Sequence, residues 1–136
     1  MQMQFDIQGG DFSAAGEASS EVKKALKQLN IQPQTLRRIA VALYEAEVNV
    51  VAHAYRGTMT VDISPARIFV QLQDEGPGIA DIGKAMEEGF STASDKVREM
   101  GFGAGMGLPN IKKNSDEMHL TSTPGTGTTL EIIVNF

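Results

Sequence analysis

The chain has 136 residues, of which 41% are hydrophobic and 21% charged, so it fits a single globular domain over residues 1–136. Its formal net charge of -5 argues against a general affinity for nucleic acid or membrane, and the absence of cysteine excludes disulfides, thiolate nucleophiles and cysteine zinc sites. The amino terminus lacks a signal-peptide pattern and no run approaches ~18 apolar residues, so we expect a cytoplasmic protein without a membrane partner.

The first half of the chain predicts a strand, two helices and a pair of strands. Alternating apolar residues indicate a strand over 3–7, which a diglycine ends. Apolar residues at helical spacing, with an Asp or Ser as cap, predict a helix over about 11–30. A proline suited to a first helical turn opens a second helix over 33–55. Strands over 58–63 and 67–73 follow, because apolar and polar residues alternate there.

The second half of the chain predicts two further helices and a terminal hairpin. A short helix is expected over 81–86 and a mobile loop over about 88–103. The next helix follows a glycine-rich segment and has Ile111 buried. Strands over 119–123 and 128–134 are joined by a turn rich in proline and glycine. This order predicts a two-layer α/β sandwich, with helices on one face of a mixed, mostly antiparallel sheet.

The most informative side chains are Glu45 and Asn49, on the second predicted helix. At ~100° per residue they project only about 40° apart, with apolar residues on both sides. Glu47 falls about 200° from Glu45 by the same arithmetic, on the side that we take as solvated. We therefore select Glu45, rather than Glu47, as the functional carboxylate.

A carboxylate and a carboxamide on one helix face suit phosphoryl transfer from ATP. Mg²⁺ binds oxygen ligands and usually takes one or two protein groups besides phosphate oxygens, and the amide oxygen of Asn49 can be one of them. The Glu45 carboxylate can take the proton from an attacking hydroxyl group. The alternative is that the two side chains form a surface pair or an internal hydrogen bond without a ligand.

A first glycine-rich segment begins at Asp74, directly after an alternating strand. A carboxylate at a strand end can accept a hydrogen bond from an exocyclic amine such as that of adenine. Gly76 and Gly78 would let the backbone approach the base closely, and Pro77 stiffens the turn. The alternative is a plain turn between a strand and a helix.

A second glycine-rich segment lacks the Gly-Lys-Ser/Thr ending of a Walker loop. Alternating glycines offer N–H groups that can wrap anionic oxygens, so we predict a lid over a triphosphate from Gly103, Gly105, Met106, Gly107 and Leu108. A mobile loop without a ligand is the alternative. Thr128 is a further candidate for nucleotide contact, although its Gly-Thr-Gly-Thr setting is also good hairpin chemistry.

Four motifs in this order resemble the N, G1, G2 and G3 boxes of the GHKL ATPases. They are Glu45-Ala46-x-x-Asn49, Asp74-x-Gly76-x-Gly78, Gly105-Met106-Gly107-Leu108 and Gly127-Thr128-Thr129. The resemblance covers residues from about 12 to 136. Within this superfamily the chain is most similar to the bacterial anti-sigma factor and serine-protein kinase branch, and there to the stressosome switch kinases.

The resemblance implies a Bergerat fold with ATP and Mg²⁺ as cofactors. In that fold Glu45 would be the base, Asn49 would bind Mg²⁺, Asp74 would bind adenine, and Thr128 would assist Asp74 through water. The implied phosphate acceptor is a Ser or Thr on a small STAS-domain protein, the usual antagonist of these kinases, with a sigma factor as a second candidate partner. Many members have an arginine just before the second glycine box, where this chain has Gly103-Ala104.

The leading hypothesis is a serine/threonine-protein kinase that uses Mg-ATP to phosphorylate a protein partner and so switches partner binding. An alternative from another class is an anti-sigma factor or adaptor that uses nucleotide to set its shape, without significant kinase activity. A third is a detached histidine-kinase ATPase domain, although no histidine precedes Glu45 in this chain. The sequence leaves the oligomeric state open, with a dimer as one option.

Overall fold

The computed structural model describes residues 1–87 and 107–136. Strands and helices mix along the described chain, as predicted. In order, the elements are β1 Gln2–Gln8, a short 3₁₀ helix Phe12–Ala14, α1 Glu17–Lys27, α2 Pro33–His53, β2 Arg56–Ile63, β3 Arg67–Glu75, α3 Ile82–Ala85, α4 Gly107–Lys113, β4 Glu117–Thr123 and β5 Gly127–Asn135.

The strands form one five-stranded sheet in the order β1-β2-β3-β5-β4. All neighbouring pairs among the described strands are antiparallel, where the sequence predicted a mixed and mostly antiparallel sheet. Each predicted strand is confirmed, with ends that shift by at most two residues. The alternation of apolar and polar residues is a local signal, and in each strand it directs one set of side chains to the core.

The helices cover one face of the sheet, which confirms the two-layer sandwich. The core contains Val61, Val70 and Ile132 from the sheet, packed with buried residues of α1, α2 and α4. Ile111 of α4 is 0% exposed, as predicted. The opposite face of the sheet is mostly polar, with Phe69 and Ile133 paired on it. No helix in the described part of the chain is long and apolar enough to cross a lipid bilayer.

The first predicted helix begins differently in the structure. Gly16 has a φ of 96°, in the left-handed region that favours glycine, and it separates the 3₁₀ helix from α1. The expected capping residues interact with each other instead, since the Ser13 hydroxyl donates to Asp11 Oδ1 at 2.6 Å. A single helix over 11–30 was therefore a wrong prediction, and the first turn of α1 obtains its cap from elsewhere.

That cap is Glu47, which lies between α1 and α2 with 2% of its surface exposed. Its Oε2 atom accepts the N–H groups of Gly16 at 2.9 Å and Ala18 at 3.3 Å. Its Oε1 atom accepts the Ser19 N–H at 2.9 Å and the Ser19 hydroxyl at 2.6 Å. A helix N-terminus has unpaired donors and favours negative charge, so the buried carboxylate is well satisfied.

The prediction that Glu47 faces solvent is wrong. The helical arithmetic placed Glu47 opposite Glu45 on α2, but α1 covers that side of α2. The angular position of a residue on one helix contains no information about which neighbouring helix packs there. An acidic residue on the far side of an amphipathic helix is usually exposed, and here it is an interhelical clamp.

α4 packs along α2, and a polar contact holds the chain at the end of this helix pair. Arg38 of α2 lies 3.2 Å from Asp116 Oδ1, just after α4, and Asp116 Oδ2 accepts the backbone N–H of Asn135 at 2.7 Å. The bond from Asn135, together with Arg38, lowers the pKa of Asp116. This contact connects α2 to the last strand and fixes the position from which α4 extends toward Asn49.

Candidate functional site

Glu45 is partly buried on the side of α2 that α4 covers. Its carboxylate accepts a hydrogen bond from the side chain of Asn110, which belongs to α4. Burial raises the pKa of Glu45, and the hydrogen bond from Asn110 opposes this by a smaller amount. A carboxylate with a raised pKa is a stronger proton acceptor than an exposed one, so this environment suits a general base.

Asn49 lies one turn further along α2, against the first residue of α4. A Cβ atom at residue 107 would be only 2.9 Å from Asn49 Oδ1, so a larger residue there would displace the Asn49 amide. Gly107 and Asn110 of α4 thus meet Asn49 and Glu45 of α2, and the two predicted side chains share one interhelical face. The sequence prediction of a common face agrees with this arrangement.

The remaining residues of the second glycine box are divided between α4 and the undescribed segment. Leu108, the second residue of α4, packs partly buried against the hydrophobic core. The side chain of Leu108 therefore contributes to packing, which leaves its backbone N–H as the group that could contact phosphate. Outside the described residues lie Gly103, Gly105, Met106 and the loop predicted over 88–103.

Asp74 is partly buried near the end of β3. Its Oδ1 atom accepts the backbone N–H of Thr128 in β5 at 3.1 Å. Burial raises the pKa of Asp74 by more than this hydrogen bond lowers it. A Cβ atom at Gly57 would lie 2.9 Å from Val50 Cγ1 and 3.3 Å from Asp74 Cβ. The C-terminal half of α2 is thus packed beside the Asp74 end of the sheet.

Gly76 and Gly78 are needed for contacts within the protein. A Cβ atom at Gly76 would lie 3.0 Å from Cα of Ala54, at the end of α2. Gly78 has a φ of 70°, and a Cβ atom there would be 2.5 Å from the carbonyl oxygen of Thr123. Both glycines therefore allow the turn after Asp74 to pack between α2 and the β4–β5 hairpin, whether or not a base also approaches them.

Thr128 is held next to Asp74 by a residue that the sequence analysis missed. Ser122 Oγ lies 2.9 Å from Thr128 Oγ1 and accepts the backbone N–H of Ile79 at 2.7 Å. One hydroxyl group thus connects the turn after Asp74 to the hairpin. The hairpin register, which pairs Ser122 with Thr128, could have indicated this contact from the turn sequence alone.

Asn110 was also missed, and no local signal identifies it. It lies three residues after Gly107, so it faces the same side of α4. Its contact with Glu45 depends on how α4 and α2 pack, which the sequence pattern does not specify. Asn110 could have been selected as a site residue only if the packing of α4 on α2 had been known in advance.

The described residues fit a magnesium–nucleotide complex better than a metal site made of protein alone. Within residues 1–87 and 107–136, no group of three or more His, Cys, Asp or Glu side chains could hold a metal ion. Mg²⁺ bound with a nucleotide takes most of its ligands from phosphate and water, so one protein oxygen is sufficient. Oδ1 of Asn49 fits this requirement, because a Cβ atom at residue 107 would occupy the space beside it.

A comparison with protein families assigns the class. The profile of the histidine kinase-like ATPase domain matches residues 11–134, which include all four motifs. The chain therefore belongs to the histidine kinase-like ATPase family.

Individual relatives place the chain more narrowly. It is 33% identical over 115 residues to the serine/threonine-protein kinase RsbT of Bacillus subtilis (strain 168), which covers 82% of this chain and 80% of that protein. It is 37% identical over 106 residues to an anti-sigma F factor of Thermoanaerobacter sp. (strain X514), covering 74% of this chain and 71% of that protein. These relatives confirm the predicted class, a protein kinase of the anti-sigma type that uses ATP.

A solved structure supports the fold. A chain in the crystal structure of the SiaB-SiaC complex from Pseudomonas aeruginosa superposes with a TM-score of 0.65, over 97% of this chain and 88% of that chain. The identity between the two is 14%, so this likeness concerns the fold alone. It confirms the sandwich of helices on an antiparallel sheet.

Proposed function

We propose that this protein transfers the γ-phosphoryl group of Mg-ATP to a serine or threonine of a STAS-domain protein, and that the modification switches binding between the two proteins. The observation that carries this proposal is the environment of Glu45. It is a partly buried carboxylate with a raised pKa, and it lies one helical turn from the contact between Asn49 and Gly107. The proposed base and the proposed metal ligand are thus neighbours on α2, as phosphoryl transfer requires.

In the proposed reaction, Glu45 accepts the proton of the acceptor hydroxyl as the hydroxyl oxygen bonds to the γ-phosphorus. The bond from that phosphorus to the bridging oxygen breaks, and ADP leaves with the electron pair of that bond. Glu45 later releases the proton to solvent, which restores the carboxylate. Its raised pKa favours the first of these proton transfers, because the protonated form is less unfavourable than for an exposed glutamate.

We assign Asn49 as the protein ligand of the metal ion. Mg²⁺, when bound, neutralises phosphate oxygens and stabilises the charge that develops during transfer. The amide oxygen of Asn49 lies beside Gly107, the first residue of α4, and so next to the residues assigned to phosphate. Phosphate contacts are assigned to the backbone of Gly103, Gly105, Met106, Gly107 and Leu108.

The adenine end of the nucleotide is assigned to Asp74. One of its oxygens accepts the Thr128 N–H, and the other would accept the exocyclic amine of the base. Thr128 would assist through water, with its hydroxyl oriented by Ser122. Gly76 and Gly78 keep the turn after Asp74 close to α2 and the hairpin.

The proposal is tested by incubating the protein with γ-labelled ATP, Mg²⁺ and each STAS-domain protein of the same genome. We expect label on a serine or threonine of one of them, and no label when EDTA removes the metal. Asp74→Ala is expected to weaken ATP binding by about tenfold to a hundredfold, because a charge-assisted hydrogen bond to the base is lost.

Glu131→Gln is the matched control, since Glu131 lies in β5 and bonds to Gln71 away from the site. This variant should transfer phosphate at the wild-type rate. Failure of the wild-type protein to label any STAS-domain protein, while it binds Mg-ATP, would contradict the proposed acceptor.

The names of several relatives favour a second candidate function. Proteins named anti-sigma F factor are among those most similar in sequence. The chain would then bind a sigma factor, with nucleotide setting its shape. Co-purification of a sigma factor in the presence of ATP, without phosphorylation of any STAS-domain protein, would support this function over the kinase.

A further inference from the structure

A groove of about 440 Å³ lies on the helix layer, beside the N-terminal half of α2. Its apolar lining includes Leu36, Val41 and Tyr44, and Tyr44 is 42% exposed. Glu45 is the last α2 residue on this lining. The volume is in the range of sites that hold a small ligand or a few side chains of a partner, between about 300 and 1,000 Å³.

The charge of the groove differs from that of the whole chain. The protein has a net charge of -5, yet the exposed charged residues on the groove are Lys23 of α1 and Arg37 of α2. Their sequence neighbours are neutralised, because Lys24 pairs with Glu21 and Arg38 with Asp116. In the described part of the chain, neither Lys23 nor Arg37 forms an ion pair. The lining thus has two cations and one carboxylate, Glu45, and this excess of positive charge on an apolar groove fits an acidic partner.

Glu45 separates this groove from the residues assigned to the nucleotide. Asn49, and the packing against the Asp74 end of the sheet, belong to the C-terminal half of α2, whereas the groove follows the N-terminal half. In phosphoryl transfer the acceptor oxygen and the leaving oxygen lie roughly in line on opposite sides of the phosphorus. An acceptor hydroxyl must therefore reach the base from the side away from the leaving ADP. With the nucleotide assigned to the C-terminal half of α2, that side is the N-terminal half, where the groove lies.

We propose that this groove is the docking surface for the phosphoacceptor protein. Its occupant would be a segment in which the accepting serine or threonine is flanked by an apolar side chain and by aspartate or glutamate. The apolar side chain would pack on Leu36, Val41 and Tyr44, and the acidic groups would pair with Lys23 and Arg37. This inference rests on the proposed kinase function and adds the surface that selects the acceptor.

The test is the steady-state kinetics of the variant Lys23→Glu/Arg37→Glu. With the STAS-domain protein that the wild-type chain labels as substrate, we expect the KM for that protein to rise by about tenfold or more, because attraction becomes repulsion. The KM for ATP should be unchanged. Both side chains are exposed, so the melting temperature should also stay near the wild-type value.

Lys27→Glu is the matched control, since it makes the same charge reversal on an exposed residue of α1 that is not on the groove. It should change the KM for the protein substrate by less than about twofold at physiological salt. Lysine in place of an acidic residue beside the phosphorylation site of the partner should restore a low KM with the double variant. A wild-type KM in the double variant, or an equal effect of Lys27→Glu, would overturn the docking surface while the kinase function stands.

If the wild-type chain labels no STAS-domain protein, the kinase proposal fails and the groove is tested by binding alone. The probes are two fluorescent serine peptides, one flanked by leucine and glutamates and the other by leucine and lysines. Tighter binding of the glutamate peptide to the wild-type chain than to the double variant would support the groove. Equal binding of the glutamate peptide to both would overturn it.

Discussion

α2 forms one junction with α1 and another with α4, and each junction contains a glutamate. At the α1 junction, each carboxylate oxygen of Glu47 accepts two hydrogen bonds from the protein, and the residue is 2% exposed. At the α4 junction, Glu45 is partly buried, accepts a hydrogen bond from Asn110 and also lines an open groove. Two identical side chains, two residues apart, thus have different surroundings.

With Glu45 as the proposed base, one helix has a carboxylate that stabilises the fold and another that takes part in the reaction. A carboxylate whose oxygens are all engaged by backbone donors stabilises the fold and has no capacity left for a substrate. A partly engaged carboxylate with a raised pKa can accept a proton from one. The comparison therefore predicts that changes at the two positions affect different measurements.

The largest effect is expected for Glu45→Gln on phosphoryl transfer. The amide cannot accept the hydroxyl proton, so we expect the rate of transfer to fall by about a thousandfold. ATP affinity, measured by calorimetry, should remain within about threefold of wild type, since uncharged contacts of similar shape persist. Transfer at the full rate would show that Glu45 is not the base, and the proposed contrast in role between Glu45 and Glu47 would then be wrong.

The next effect is expected for Glu47→Ala on stability. Loss of the carboxylate leaves the N–H groups of Gly16, Ala18 and Ser19 without their acceptor, so the free energy of unfolding should fall by about 3 kcal/mol. Urea denaturation measures this change. Glu21→Ala is the control, since its exposed pair with Lys24 is worth no more than about 1 kcal/mol. Equal losses in both variants would show that the buried clamp contributes nothing special.

A smaller effect is expected for Asn110→Ala on the pH dependence of transfer. The hydrogen bond from Asn110 lowers the pKa of Glu45, so its removal should move the acid side of the pH–rate profile to higher pH. Rates well above that limb should change little. Asn114→Ala is the control, because the Asn114 amide donates to the backbone carbonyl of Asn110 and not to Glu45. An unchanged pH–rate profile in Asn110→Ala would show that Asn110 does not set the pKa of Glu45.

The smallest effect is expected for Glu45→Gln on stability. Burial raises the pKa of Glu45 in the folded state, so the folded chain binds its proton more tightly than the unfolded chain does. The stability from this group is present below its ordinary pKa and is lost as pH rises through the folded value. At neutral pH we therefore expect Glu45→Gln to unfold at the same urea concentration as wild type or slightly higher. A marked loss of stability would mean that Glu45, like Glu47, is structural.

The sheet and the shared face of Glu45 and Asn49 could be predicted from the sequence because both depend on local periodicity. Alternation fixes which side of a strand is buried, and a spacing of four residues places two side chains on one side of a helix. The hairpin and the buried Ile111 follow from the same kind of signal. These features needed no knowledge of which elements touch.

What could not be predicted depends on contacts between distant elements. Glu47 was placed in solvent because the packing of α1 on α2 is absent from any pattern along α2. Asn110 and Ser122 were missed because each acts through a residue on another element, Glu45 or Thr128. The cap of α1 was assigned to Asp11 or Ser13 because local capping is the usual arrangement.

The attachment of α1 to α2 through Glu47 has a consequence for recognition of the acceptor protein. Lys23 lies about one turn after Ser19, so the interior carboxylate that holds Ser19 also sets how far Lys23 stands from the α2 side of the groove. If the groove is the docking surface, recognition of the acceptor protein depends on Glu47, a buried side chain that the acceptor does not contact. We therefore expect an interior substitution at Glu47 to change the affinity for the acceptor protein, although the residues that line the groove stay the same.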